Sequence, residues 1–305
     1  MRKYKFGIII SLVLIMLVSS VGIAKNYDEA PMLKEKVEKG ELEPVNERLP
    51  ENPYVVEPAE RIGRYGGTLN LITRYTSVCV GTAFVGGFVG FVEQGPKGSE
   101  SIVRLAESID VSKDKTTFTI NMREGLKWSD GVPFTAEDIM FWYNDILLNK
   151  DLYPVVPHYF TSDGEVMEAT KLGKYKVRFK FNKPQPYFLK APLIRANQAY
   201  DMLSPKHYLK KFHPKYTSEK ELQNKIKEAG FDNWWELFQD RNESYNEVNS
   251  VPGAPTLGPW KTVKFNSSRH VFERNPYFWK VDPEGNQLPY VDRVETQVVT
   301  NPEVA

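Results

Sequence analysis

The chain has few of the residues that usually carry chemistry. Cys79 is the only cysteine among 305 residues, which excludes intrachain disulfides, CxxC redox pairs and cysteine-based zinc sites. The residue itself reads as a small buried apolar side chain. His158, His207, His213 and His270 are the only histidines, and none shows HExxH or comparable ligand spacing. No GxSxG elbow marks a serine hydrolase. The glycine-rich stretch GTAFVGGFVGF matches neither GxGxxG nor the GK[ST] of a phosphate loop, so close backbone packing is the better reading. A charge surplus is missing too: 40 Lys and Arg stand against 39 Asp and Glu, so nothing attracts nucleic acid or a strongly charged substrate. No metal or other cofactor is expected.

Apolar and aromatic residues, by contrast, are plentiful. Aromatics make up 13% of the chain, enough to pack a core and to stack on a ligand, and the length allows two domains or one and part of another. In MRKYKFGIIISLVLIMLVSSVGIA, residues Arg2, Lys3 and Lys5 precede an apolar run from Phe6 to Val18, and Gly22-Ile23-Ala24 offers small residues to a signal peptidase. Residues 1–24 therefore read as a cleaved export signal, which places the mature chain in a periplasm or outside the cell. The alternative is an uncleaved anchor, since about 20 residues span a bilayer; Ser11, Ser19, Ser20 and Gly22 weigh against it.

Residues 25–65 are rich in Glu, Lys and Pro. They predict an extended arm that buries little, with one short helix over 31–39. The body, residues 66–305, opens with a strand over 68–72. Strands are expected over 102–111 and 116–122 around a Lys113-Asp114 turn, and over 174–181, where Tyr175, Val177, Phe179 and Phe181 alternate with Lys174, Lys176, Arg178 and Lys180. That basic face reads as a solvated one. Further strands are expected over 260–265, 270–274 and 292–299. In REGLKWSDGVPFTAEDI, Thr135 is a natural N-cap, Glu137 and Asp138 fall in the first turn, and Ile139, Trp142, Tyr143 and Ile146 share one face. Trp128 reads as a core anchor. Ser204-Pro205 opens a helix to Phe212, and Ser218-Glu219-Lys220-Glu221 leads a helix ended by Gly230. The pattern is mixed α/β with antiparallel character and lacks a regular βαβ rhythm. Asp282-Pro-Glu-Gly-Asn-Gln has alternating oxygen ligands but neither the central Gly nor the terminal Glu of an EF-hand, so a turn is favoured over calcium. Asn242-Glu-Ser and Asn266-Ser-Ser match glycosylation sequons by pattern only.

Two separated stretches share a resemblance. LAESIDVSKDKTTFTINMREGLKWSDGVPFTAEDIMFWYNDIL (105–147) resembles the signature of the extracellular solute-binding proteins, family 5, the oligopeptide- and dipeptide-binding group of ABC importers. LGPWKTVKFNSSRHVFERNPYFWKVDPEGNQLPYVDRVE (257–295) is similar to that family's Gly-Pro-aromatic strand, its Glu-Arg-Asn-Pro-x-x-Trp element and the strand that follows. Pro255-Thr256-Leu257-Gly258 departs from the family's usual glycine pattern before the aromatic, which puts the local turn in question.

The resemblance implies a periplasmic-binding-protein-like type II lobe with a family-5 extra subdomain. It also implies that the second lobe is missing, so that a chain carrying one jaw of a two-jaw clamp binds ligand weakly or not at all. The implied function is the receptor subunit of an ABC importer for oligopeptides, or for oligosaccharides as some members take. The implied partners are the permease subunits in the membrane. Ligand contacts are expected at Arg74, Tyr75 and Thr76 after the first strand, at Tyr153 after the Thr135 helix, and at Trp260. For the three aromatics core packing is the alternative, and for Arg74 a surface salt bridge. An exported peptide or glycan hydrolase is the rival function, because a carboxylate pair drawn from distant positions leaves no motif.

Overall fold

The computed structural model describes residues 26–73, 89–94, 101–189, 202–242 and 251–299. The stretch read as an export signal (1–24), Arg74, Tyr75, Thr76, Cys79 and most of the glycine-rich stretch lie outside them. The architecture is mixed α/β and rests on two four-stranded sheets.

The arm is better anchored than its composition suggests. It forms α1 (Pro31–Glu38), with Pro31 at the first helical position where a missing N–H costs nothing, and the short α2 (Val45–Arg48). Ala30, Leu33, Val45 and Leu49 are buried, and Arg48 is fully buried. The Arg48 guanidinium reaches Glu29, the Pro276 carbonyl, Gln287 Oε1 at 3.0 Å and the Glu43 carbonyl at 2.9 Å. Strand β1 (Tyr54–Val55) then pairs in parallel with residues 280–281. The expectation of an arm burying little is thus corrected. A charged residue crosses into the interior because each of its three guanidinium nitrogens finds an oxygen partner there.

After β2 (Thr68–Thr73), a hairpin is formed by β3 (Val92–Gln94) and β4 (Ser101–Val103). It leads into β5 (Ala106–Val111) and β6 (Thr117–Met122). The single strand expected over 102–111 is broken because the Arg104 and Leu105 amides turn back to the carbonyls of Phe91 and Gly90. A short hairpin of β7 (Thr161–Ser162) and β8 (Glu165–Val166) precedes β9 (Glu168–Gly173) and β10 (Lys176–Lys180), and the first sheet runs β5-β6-β10-β9, all antiparallel. Phe118, Ile120, Met122, Val177 and Phe179 fill its inner face, as the alternation predicts.

Between these strands, the Trp-Ser-Asp-Gly turn closes with Gly131 N–H donating to Trp128 O at 2.9 Å and Trp128 N–H donating to Val132 O at 2.8 Å. Gly131 has φ +87° and a Cβ there would fall 2.8 Å from the Tyr277 hydroxyl, so only glycine fits. Thr135 caps α3 (Ala136–Phe141) in a full capping box with Asp138, and the helix widens into a π-helical turn, Trp142–Leu147. Trp128, Ile139, Trp142 and Ile146 are buried in one large cluster, as expected. The 204–212 segment gives α4 (Lys206–Leu209) and a 3₁₀ turn. Helix α5 (Glu219–Ala229) is capped by the Ser218 hydroxyl and ended by left-handed Gly230. It packs on α6 (Trp234–Arg241), a helix the sequence reading does not include.

The second sheet runs β11-β12-β14-β2, with β11 (Trp260–Phe265), β12 (Arg269–Arg274) and β14 (Arg293–Val298). Its one parallel pair is β14 with β2, in register from Arg293↔Thr68 to Val298↔Thr73. Asn266 Oδ1 accepts from the Ser268 and Arg269 amides, so that sequon residue serves as the hairpin turn. The short β13 (Lys280–Val281) holds the arm. The Pro-Thr-Leu-Gly-Pro turn is fixed by the element downstream: Asn275 Nδ2 donates to Gly258 O at 2.8 Å and Trp279 Nε1 to Leu257 O at 3.2 Å.

Candidate functional site

Because β2 and β14 are parallel and in register, their carboxyl ends meet at one edge of the second sheet. Val299 N–H donates to Thr73 O at 2.8 Å, and Val298 N–H donates to Ser268 O at 2.9 Å, so the ends of two strands and the start of a third converge there. In open sheets with parallel strands, ligands sit beyond the carboxyl ends, where loops diverge and leave a crevice. Arg74, Tyr75 and Thr76 follow Thr73, the last residue of β2, in the sequence and lie outside the described residues.

The two faces of the sheet differ. One face carries a charge ladder: Arg269 bonds Glu295, and Arg293 bonds Glu273 at 2.6 Å. The hydrogen bond from Arg269 holds the Glu295 carboxyl below its ordinary range. The other face is apolar but studded with polar groups. Trp260, Phe272 and Val294 form its cluster, while His270, Thr262 and Thr296 are buried among them, the His270 ring stacked on Phe265 at 3.9 Å. Ile72, next to the carboxyl edge, is 56% exposed.

Of the expected contact residues, Trp260 and Tyr153 are among those described, and they pack in different clusters. Trp260 pairs with Arg274 at the amino end of the parallel pair, on the order of 16 Å along the strands from Thr73. It is 1% exposed, and core packing accounts for its position. Tyr153 follows the π-helical turn in the other half of the molecule, half-buried, its N–H donating to Asn149 O at 2.8 Å. Sequence reasoning located the end of β2 but not Ser268, Val298 and Val299, since nothing in either segment signals that 68–73 and 293–298 will pair.

Two acid–base groupings bear on the rival hydrolase reading. His207 Nε2 lies 2.7 Å from Asp130 Oδ2. Burial works against the Asp130 carboxylate, but the hydrogen bond and charge of His207 prevail and hold its pKa low. Asp138 is driven the other way, up to about 6, by burial. Its oxygens accept from the Thr135 amide at 2.9 Å and the Lys206 amide at 3.1 Å, so this carboxylate joins two helix starts. Both groupings are engaged in holding the fold. Asp282, the first residue of the calcium-like stretch, accepts from the amides of Glu284 and Asn286 and from the Tyr290 hydroxyl, which makes it a turn. Among the described residues no group of three His, Cys, Asp or Glu could hold a metal ion, and no helix is long and apolar enough to cross a membrane.

Comparison with known proteins places this geometry. Residues 101–305 match the model of the bacterial extracellular solute-binding proteins, family 5. The periplasmic alpha-galactoside-binding protein of Rhizobium meliloti (strain 1021) is 29% identical over 302 residues, covering 90% of this chain and 40% of that protein. Among solved structures, an oligopeptide-binding protein OppA superposes with a TM-score of 0.82 at 39% identity, over 92% of this chain and 42% of its own. The periplasmic binding protein MelB from Agrobacterium fabrum C58, solved with stachyose, gives 0.69 at 27% identity, over 90% and 41%. The chain thus spans about 40% of the length of these relatives. The family model covers well over half of the chain and includes both signature stretches, so the protein belongs to the bacterial extracellular solute-binding proteins of family 5.

Proposed function

We propose that this protein is the solute-binding component of an ABC importer, without catalysis of its own, and that it takes oligopeptides or related solutes. The observation that carries this reading is the likeness to OppA across 92% of the chain at 39% identity. Oligosaccharides are the second ligand class, favoured by the likeness to the alpha-galactoside-binding protein and to MelB. The carboxyl edge of β2 and β14 supplies one wall of the ligand cleft, with Arg74, Tyr75 and Thr76 as contacts. Tyr153, in the other half of the molecule, is a peripheral contact at most, and Trp260 supports the sheet from within. Backbone hydrogen bonds along an extended ligand suit peptides, and aromatic stacking suits sugars. Closure over the ligand is limited by the ligand's differential affinity for the closed state, and the closed form docks on the permease. Export to the periplasm or cell surface by residues 1–24 belongs to the same reading.

The test is uptake in the native cell. Deleting the gene is expected to abolish import of a labelled oligopeptide mixture or of labelled stachyose, and a copy carrying Arg74→Ala is expected to restore it only weakly. Unchanged uptake, together with loss of hydrolysis of a chromogenic peptide or glycoside panel, would overturn the reading in favour of an exported hydrolase.

A further inference from the structure

His213 occupies the joint between the α5–α6 helix pair and the rest of the molecule. It is 3% exposed. Its ring is enclosed by four aromatic rings from three segments: Phe141 of α3 at 6.3 Å, Tyr216 of the following turn at 5.6 Å, and Trp234 and Phe238 of α6 at 5.0 and 5.7 Å. Both ring nitrogens are engaged. Nδ1 accepts from the Lys215 amide at 3.1 Å, and Nε2 lies 3.1 Å from the Asp145 carbonyl oxygen and 3.4 Å from Asn149 Nδ2. An acceptor role at Nδ1 and a donor role at Nε2 define one neutral tautomer. A second proton, on Nδ1, would face the Lys215 N–H donor to donor.

The charged groups facing this ring come from two elements. Asp145, in the π-helical turn, favours the imidazolium, but its carboxylate is already taken by Lys215 Nζ at 2.5 Å and the Tyr216 hydroxyl at 2.6 Å. Lys215, in the turn beside the ring, opposes it. Helix α6 faces the ring with Trp234 and Phe238. Burial dominates, and with Lys215 it pulls the His213 pKa below its ordinary 6.5 against the opposing pull of Asp145.

Helix α6 is also tied to the body through Phe238, which is buried in the large core cluster, through Trp234 and Trp235 packed against that cluster, and through Arg241 over the Phe212 ring at 5.8 Å. Trp234 Nε1 donates to Asp151 at 3.1 Å, and Asn242, which follows the helix, meets Ser204 Oγ at 3.1 Å. We propose that His213 is an acid-sensitive latch, and that its protonation releases α5 and α6 (Glu219–Arg241) from the body while the two sheets stay intact. The sign follows from linkage. Above pH 6.5 the ring is neutral whether the joint is open or closed, and the joint holds fully. As pH falls through 6.5 the open form takes up a proton that the closed form refuses, so closure weakens until the closed form's own lower pKa is reached.

The experiment is amide hydrogen exchange read by mass spectrometry on the whole chain between about pH 7.5 and about pH 5, corrected for the intrinsic pH dependence of exchange. Protection in 219–241 is expected to fall by up to roughly tenfold per pH unit below 6.5, while protection in 117–122 and 176–180 stays level. His213→Asn keeps an acceptor near the Nδ1 position without titrating, and should flatten the profile. Should that variant fail to fold, imidazole proton resonances of the unaltered chain serve instead, because the His213 titration must coincide with the loss of protection. Identical pH profiles in the variant and the parent, or protection in 219–241 that holds to about pH 5, would overturn the latch.

Discussion

The two sheets are built to the same size from opposite materials. Sheet β5-β6-β10-β9 comes from one continuous stretch, 106–180, and its inner face joins a large cluster containing Trp128, Trp142, Phe118 and Phe179. Sheet β11-β12-β14-β2 draws its parallel pair from 68–73 and 293–298, and among the described residues its cluster has three buried apolar side chains. Buried His270, Thr262 and Thr296 interrupt that second interior. Local pairing closes short loops and is repaid at once by burial, whereas distant pairing pays a larger closure entropy first. The difference teaches where each task resides. The contiguous sheet carries the larger interior, and the distant pair forms the edge proposed as a wall of the ligand cleft.

Substitutions can break or sharpen that contrast. The largest effect is expected for Phe179→Ala, which empties a fully buried site touching Trp142 and Phe188; urea denaturation should show a loss of about 4 kcal/mol. Phe272→Ala in the smaller cluster should cost less, about 3 kcal/mol, and a cost equal to that of Phe179→Ala would remove the distinction between the two interiors. Arg48→Ala leaves Glu29 and Gln287 without their buried partner and should cost about 3 kcal/mol by the same assay. Arg48→Met, which keeps the apolar stem, should not restore it. The smallest effect is expected for Thr135→Ala, about 1 kcal/mol from loss of the cap of α3, seen as a small shift of the thermal midpoint.

Much of the platform was legible in the sequence. The alternation over 174–181 assigns Val177 and Phe179 to the interior, and Thr135 with Asp138 marks the start of α3, because both signals operate within a few residues. Two strand-level errors have local causes that only three dimensions supply. Lys174 and Tyr175 became the turn into β10, where the Tyr175 carbonyl accepts from the Met122 amide. Arg104 broke a continuous run because a neighbouring hairpin competed for its amide. The arm was misread for a different reason. A Glu- and Pro-rich composition argues for exposure, yet a few fixed partners in 276–287 suffice to bury Arg48. For the candidate site the reading reached the end of β2 and no further. Trp260, Tyr153 and the β2 edge look equivalent as a list of aromatic and polar residues, and only the sheet register separates them.

By itself the sequence determined the family signature, the capped helix with its Trp-Ser-Asp-Gly turn, and the inner faces of the local strands. These depend on side-chain period, cap chemistry and backbone freedom, all short-range properties of the chain. Only the tertiary structure decided that β2 would lie beside β14, that Trp260 would sit in an interior, that Arg48 would be buried, and that His213 would close the joint of α5 and α6. Each of these joins residues far apart in the chain. Their contacts are set by which surfaces can be buried together once the local elements exist, and the free energy of that choice resides in the pair, with no mark in either segment alone.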